Sequence, residues 1–329
     1  MSTSIIPEQA QTLAREVIER NTLEDGTLKP STELKQVFLQ YTLAPKINRS
    51  IAGFFRTIAP MENRLGKDLC QFDEDDLDEL FSSRFSAMRG YNIYAVSAFR
   101  HYTEFCESLG VRTSSAIASY TPDLTNKIRE SMVASPMHLQ LKLDEAFHPV
   151  NTNSSECLYR CVLWLAFAGV PLESINSLTA DDVDLDRLRV KACDSSFPLY
   201  SEAISAFKQA INNTQFATMV RGGHWINTER MPGNLLLRGI KKSSVNATAL
   251  MGKMNAKAHK KGLSFSYALI RKSGHFYRIY ELERIGYTPD FAGVLSDSKG
   301  RGESQYRHYI RVSAALLAKD YEAWKKAFG

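Results

Sequence analysis

The hydrophobic period of this chain changes at Gly169, and that change limits what it can fold into. Ahead of the glycine, Leu158, Val162 and Leu165 share one face of a helix that Asn153 can cap, with Glu156 three residues on. Beyond it a short helical stretch gives way to alternation at Leu188 and Val190 and a second run near Phe197 to Leu199. Helical spacing then returns at 201–212, 247–261 and 271–285. One alternating stretch framed by helices predicts a fold that is mainly α with a small antiparallel β-sheet.

The first half reads as helical throughout. Residues 8–20 form a short amphipathic segment that the stretch from Gly26 to Ser31 breaks. Ile47, Ile51, Phe54, Phe55 and Ile58 repeat at helical spacing, and Pro60 is expected to end them. An acidic helix start follows at 73–81. Residues 91–109 carry a stripe of Ile93, Val96, Tyr102, Phe105 and Leu109, with Arg100 and His101 off it. A further helix is expected over 122–133, and Ala134-Ser135-Pro136 reads as a linker. These features divide the chain into an N-terminal helical extension at 1–45, a helical bundle at 46–134 and a larger domain at 138–329.

At 329 residues the chain is long enough to bury two cores, and 44% hydrophobic against 23% charged residues is the balance of a globular protein. Its longest apolar run, 161–172, is too short to cross a bilayer and holds Gly169 and Pro171, so no membrane association is expected. Five cysteines without CxxC spacing, and the lack of a charged-then-apolar leader, point to reduced thiols and a cytoplasmic setting. Cys157 and Cys161 lie one helical turn apart with nothing to complete four ligands, and neither metal nor cofactor is expected. The charge is segregated. Residues 219–311 hold 17 Lys and Arg against 6 Asp and Glu, although the whole chain is only +5. Cations concentrated in this way make an electrostatic footprint for a polyanion, and double-stranded DNA is the expected partner.

That basic region contains Ser266-Tyr267-Ala268-Leu269-Ile270-Arg271-Lys272-Ser273 and, 35 residues after Arg271, Tyr306 within Tyr306-Arg307-His308-Tyr309. Together with WLAFAGVPLESINSLTADDVDLDRLRV, these motifs resemble the tyrosine recombinase (phage integrase) family across nearly the whole chain. The resemblance implies a core-binding helical bundle followed by a tyrosine-recombinase-like catalytic domain. In that family two arginines fork onto a scissile phosphate, a tyrosine attacks it, and a hairpin lysine protonates the leaving oxygen.

Mapped onto this chain, the site is degenerate. Gly169, Leu178 and Val183-Asp184 keep the frame of the first motif, but its arginine falls on Pro171 and its glutamate on Ser174. Arg271 takes the second arginine, with Ala268 in place of the histidine. The literal alternative is His275-Phe276-Tyr277-Arg278. Leu295-Ser296-Asp297 occupies the Leu-Gly-His box nine residues before Tyr306, so an acid replaces its histidine. The expected hairpin turn, 192–196, lacks a lysine, and Lys191 is close by.

Two readings follow. In the first, the chain is similar to the MrpR-type repressors of temperate phages, on the strength of FFRTIAPMENRLGKDLCQFDEDDLDELF and RKSG. It would then be a sequence-specific double-stranded DNA-binding protein of phage origin, working at the nucleoid of a bacterial host and silencing lytic genes without cutting DNA. Phosphate contacts would come from Arg271, Lys272, Lys241, Lys242, Lys257, Lys260, Lys261 and Arg278, and base contacts from the bundle through Arg89, Arg100 or His101. The alternative is an active recombinase that cleaves through Arg271 and Tyr306. An unidentified protein or small molecule is expected as inducer. The stripe Leu317, Tyr321, Trp324 and Phe328 either packs on its own domain or joins a second copy.

Overall fold

The computed structural model describes residues 7–42, 45–84, 89–147, 155–220, 223–240, 245–293 and 314–329. Two compact units share the chain, Met1–Asn126 and Lys127–Gly329.

The first unit is built from α1 (Glu8–Asn21), α2 (Thr32–Thr42), α3 (Pro45–Leu65), α4 (Glu74–Arg84), α5 (Arg89–Ser108) and the single turn α6 (Ala116–Ser119). Its core joins Ala14 and Val17 of α1 to Phe38 of α2, Phe54 and Phe55 of α3, and Phe99 and Tyr102 of α5. The stretch expected as an extension is thus part of this core, because α1 and α2 each bury an apolar face that would otherwise meet water. Phe38 and Phe55 meet Tyr102 edge-on, with centroids 5.3 and 5.2 Å away.

Two local expectations are corrected here. Helix α3 runs through Pro60 to Leu65 instead of stopping at it. Burial of Met61 and Glu62 in the next turn holds the helix together where the proline deprives it of one hydrogen bond. Ile93, assigned to the buried stripe of α5, is 49% exposed, and Ala95, Phe99 and Cys106 line the core instead.

The second unit holds α7 (Thr125–Ser131), α8 (Pro136–Ala146), α9 (Ser155–Ala168), α10 (Ile204–Asn212), α11 (Ala247–Ala258), α12 (Tyr267–Arg284) and α13 (Ala314–Phe328). Ala134-Ser135-Pro136 starts a helix: Ser135 accepts from the His138 N–H as the cap of α8, with Pro136 in the first turn. Strands β1 (Val183–Asp184), β2 (Arg189–Ala192) and β3 (Ser195–Pro198) form one antiparallel sheet in sequence order. A separate ribbon pairs β4 (Gln215–Met219) with β5 (Trp225–Glu229). The β2–β3 turn has positive φ at both Cys193 and Asp194, the geometry of a tight two-residue hairpin.

Helix α9 is the axis of this unit, with every residue from Glu156 to Ala168 buried. Helix α12 crosses it so closely that a Cβ on Gly274 would overlap the Phe167 carbonyl oxygen. The C-terminal stripe is covered within the same unit. Leu317, Tyr321 and Trp324 are buried, Tyr321 lies 5.5 Å from Phe276, and the Trp324 indole donates to the Val133 carbonyl at 3.1 Å.

Candidate nucleic-acid interface

The carbonyls at the carboxyl end of α9 have no partners within the helix and must find them elsewhere. Three side chains of α12 supply them. Tyr267 donates to Val170 at 2.7 Å, Arg271 through Nε to Gly169 at 2.8 Å, and Arg278 to Phe167 at 3.0 Å. Guanidinium groups suit this place because the end of a helix carries partial negative charge. Gly169 permits the turn with φ of +103°, which a larger residue adopts only under strain. Pro171 then opens the following 3-10 turn.

This arrangement engages several of the cations expected at phosphate within the fold. Arg271 is 2% exposed, so its guanidinium belongs to the core. Arg278 is divided between Phe167 and Nδ1 of His275, 2.9 Å away. Since a guanidinium only donates, Nδ1 accepts, and the neutral ring carries its proton on Nε2. That nitrogen is enclosed, with no hydrogen-bond partner among the described residues. Burial, followed by the charges of Arg278 and Arg271, holds the imidazole pKa well below the usual histidine value.

Other expected contacts are also engaged within the protein. Lys272 pairs with Asp320 of α13 at 2.8 Å, and both side chains are largely covered. Arg100 donates to the carbonyls of Ile117 and Tyr120 at 2.8 and 2.9 Å, tying α5 to α6. His101 is exposed beside Glu104 at 3.1 Å. In each case a short-range bond within the fold satisfies the group that the sequence left unassigned. Arg89 belongs to α5, and its side chain lies outside the described residues, as do Lys241, Lys242, Asp297 and Tyr306.

Exposed positive charge collects along α11 and the turn after it. Lys253, Lys257, Lys260 and Lys261 are all exposed. Lys257 pairs with Glu156, and Lys261 donates to the Glu145 carbonyl at 2.7 Å. Burial and then the charges of Lys261 and Lys260 lower the Lys257 pKa, a sign of how closely these ammonium groups crowd. Lys253 escaped the sequence reading, although its spacing of 4, 7 and 8 residues from the other three places it on their face.

One position of the first motif meets the β2–β3 hairpin. Ser174, where the family has glutamate, lies 2.9 Å from Cys193 at the tip of the β2–β3 hairpin. Lys191 alternates outward with Arg189 while Val190 and Ala192 face the core.

Residues 31–108 match the model of the MrpR N-terminal core-binding domain. That stretch of the first unit is similar to an MrpR core-binding domain. Three solved structures show similarity to the chain. XerA recombinase is 13% identical, with a TM-score of 0.39 over 83% of this chain and 90% of that one. The Tn1549 transposon integrase in complex with a circular intermediate DNA is 13% identical, with a TM-score of 0.34 over 88% and 96%. The integrase from mycobacterium phage Brujita is 15% identical, with a TM-score of 0.29 over 87% and 95%. No curated protein sequence matches the chain.

The core-binding domain match spans α2 to α5, the helices that share Phe38, Phe54 and Tyr102. Among the described residues no helix is long and apolar enough to cross a membrane. No group of three metal-ligating side chains is found among them either.

Proposed function

We propose that this protein is a sequence-specific double-stranded DNA-binding protein on a recombinase-type scaffold, and that it represses phage genes in the bacterial cytoplasm by occupying an operator without cutting it. One observation carries this reading: the Arg271 side chain is buried and gives its Nε–H to the Gly169 carbonyl, while Pro171 stands where the resemblance expects a second arginine. Strand transfer needs preorganised donors at the scissile phosphate, and removing one such donor costs on the order of 10² to 10³ in rate. Binding has a lower requirement, namely exposed cations that displace counterions, and the α11 lysines supply them.

The match of residues 31–108 to an MrpR core-binding domain supports the DNA-binding part of this reading. Lys253, Lys260 and Lys261 act as the phosphate contacts, with Lys257 sharing its charge with Glu156. Base readout falls to the core-binding domain.

The test uses two substrates. An operator duplex measured by fluorescence anisotropy should bind tightly and weaken steeply with salt. A nicked suicide duplex of the same sequence should yield no covalent adduct. An adduct that vanishes in Tyr306→Phe would establish the recombinase reading instead, and binding that ignores salt would remove the lysine surface from the account.

A further inference from the structure

We propose that Cys70 and Cys106 form a redox-active dithiol in the first unit, which closes to a disulfide within that unit under a small two-electron oxidant, hydrogen peroxide. Cys70 lies in the 3-10 turn Leu69–Gln71 that follows α3, and Cys106 lies near the end of α5. Their thiols are in hydrogen-bonding contact with each other, and neither residue is more than 1% exposed. Two sulfurs far apart in the chain are thus neighbours before any oxidant arrives.

Backbone bonds hold both residues in place. The Asp68 carboxylate accepts from the Cys70 N–H at 3.2 Å, and from the hydroxyl of Tyr102, one helical turn before Cys106, at the same distance. The connection after α5 binds both cysteines: the Val111 N–H donates to the Cys106 carbonyl at 3.2 Å and the Ser114 N–H to the Cys70 carbonyl at 2.8 Å. Only a short side-chain movement then separates contact from bond. The other cysteines are placed differently. Cys157 and Cys161 share one face of α9, where residues four apart keep their Cβ atoms about 5 to 6 Å from each other, beyond the roughly 3.5 to 4.5 Å that a disulfide spans. Cys193 is exposed, with the Ser174 hydroxyl beside it.

The surroundings set the chemistry. The bond to the Cys106 thiol, and then burial, push the Cys70 pKa above the usual thiol value, so the neutral thiol is its resting form. A neutral thiol reacts slowly, and burial admits only an oxidant close to water in size, as the fold opens locally. Peroxide passes one oxygen to the first sulfur, giving a sulfenic acid, and its other oxygen leaves as water. The second thiol attacks that sulfur, the S–O bond breaks, and the hydroxyl takes the thiol proton and leaves as a second water. The two sulfurs together lose two electrons, which the peroxide gains. Thiols of high pKa are poor leaving groups in exchange, so the bond persists once made. In a reducing compartment the pair stays open, and a sustained rise in peroxide closes it. The inference stands whether or not the chain binds an operator.

The experiment uses the full chain, reduced, exposed to hydrogen peroxide in native buffer, quenched with iodoacetamide in denaturant and mapped by peptide mass spectrometry. Alkylatable thiols should fall from five to three, with Cys70 joined to Cys106, and dithiothreitol should restore all five. Cys193→Ala should give the same linked pair at an unchanged rate, and Cys106→Ser should abolish it. The proposal is overturned if Cys70 and Cys106 both remain alkylatable after Cys193 has been oxidised, or if the linkage joins either of them to Cys193 or to a second copy. It is equally overturned if the pair links only in urea-unfolded protein, since contact within the fold would then play no part. Mapping of the wild type decides the matter even where Cys106→Ser fails to fold.

Discussion

Each unit buries a cation, and the two solve the electrostatic problem differently. In the first, Lys35 lies between Glu62 and Asp68, 2.7 Å from each, with the Tyr102 hydroxyl donating to Asp68 at 3.2 Å. Burial works against the charged ammonium, yet Asp68 and Glu62 together raise its pKa above the usual lysine value. Burial likewise pushes the Glu62 carboxyl up. In the second, Arg271 and Arg278 meet backbone carbonyls at the end of α9 and a neutral imidazole. Full charges answer one another around Lys35, and dipoles answer charge around Arg271 and Arg278. Breaking the first therefore strands a buried ion, while breaking the second strands a polar but neutral carbonyl.

The largest effect should follow from Lys35→Met. It leaves two buried carboxylates without their cation and should cost about 3 to 5 kcal/mol in chemical denaturation of the first unit. A loss near zero would mean that the network is hydrated and that the contrast between the units is false. Gly274→Ala comes next. The methyl group overlaps the Phe167 carbonyl, so α12 must move off α9, at a cost of roughly 3 kcal/mol in the second unit.

Arg271→Met should cost less than Lys35→Met, about 1 to 3 kcal/mol, because it orphans one carbonyl. The reverse order would identify the guanidinium as more than a cap. The salt slope of operator binding should fall by up to about 3 in the triple variant Lys253→Ala, Lys260→Ala, Lys261→Ala, and hardly at all in Lys272→Ala.

The smallest effect is the pH response of the second unit. The folded-state pKa of His275 lies below its unfolded value, so the folded form binds fewer protons than the unfolded one. Its contribution is complete above pH 6.5 and declines as pH falls through 6.5 toward the depressed value. Melting curves of the wild type should drop across that window, and His275→Gln should flatten the drop. An unchanged slope in the variant would assign the acid sensitivity to other groups.

Much of this was legible in the chain. The alternation around Val190 gave the hairpin, and the basic excess after 219 gave the lysines of α11. The rest depended on partners far away in sequence. Arg271 reads as a surface cation until Gly169, 102 residues earlier, is placed beside it. Lys272 needs Asp320, and Pro60 sits inside a helix because Met61 and Glu62 have a core to enter. Neither α2 nor the β4–β5 ribbon was foreseen.

By itself, the sequence determined the helical class, the location of the small sheet and the segregation of charge. These are properties of period, composition and single residues, which need no knowledge of distant neighbours. Which cations face water and which are consumed inside was decided only by the tertiary structure. An arginine on α12 is chemically the same residue in either role, and only the approach of α9 at Gly274 turns its guanidinium from a contact for phosphate into a cap for a helix.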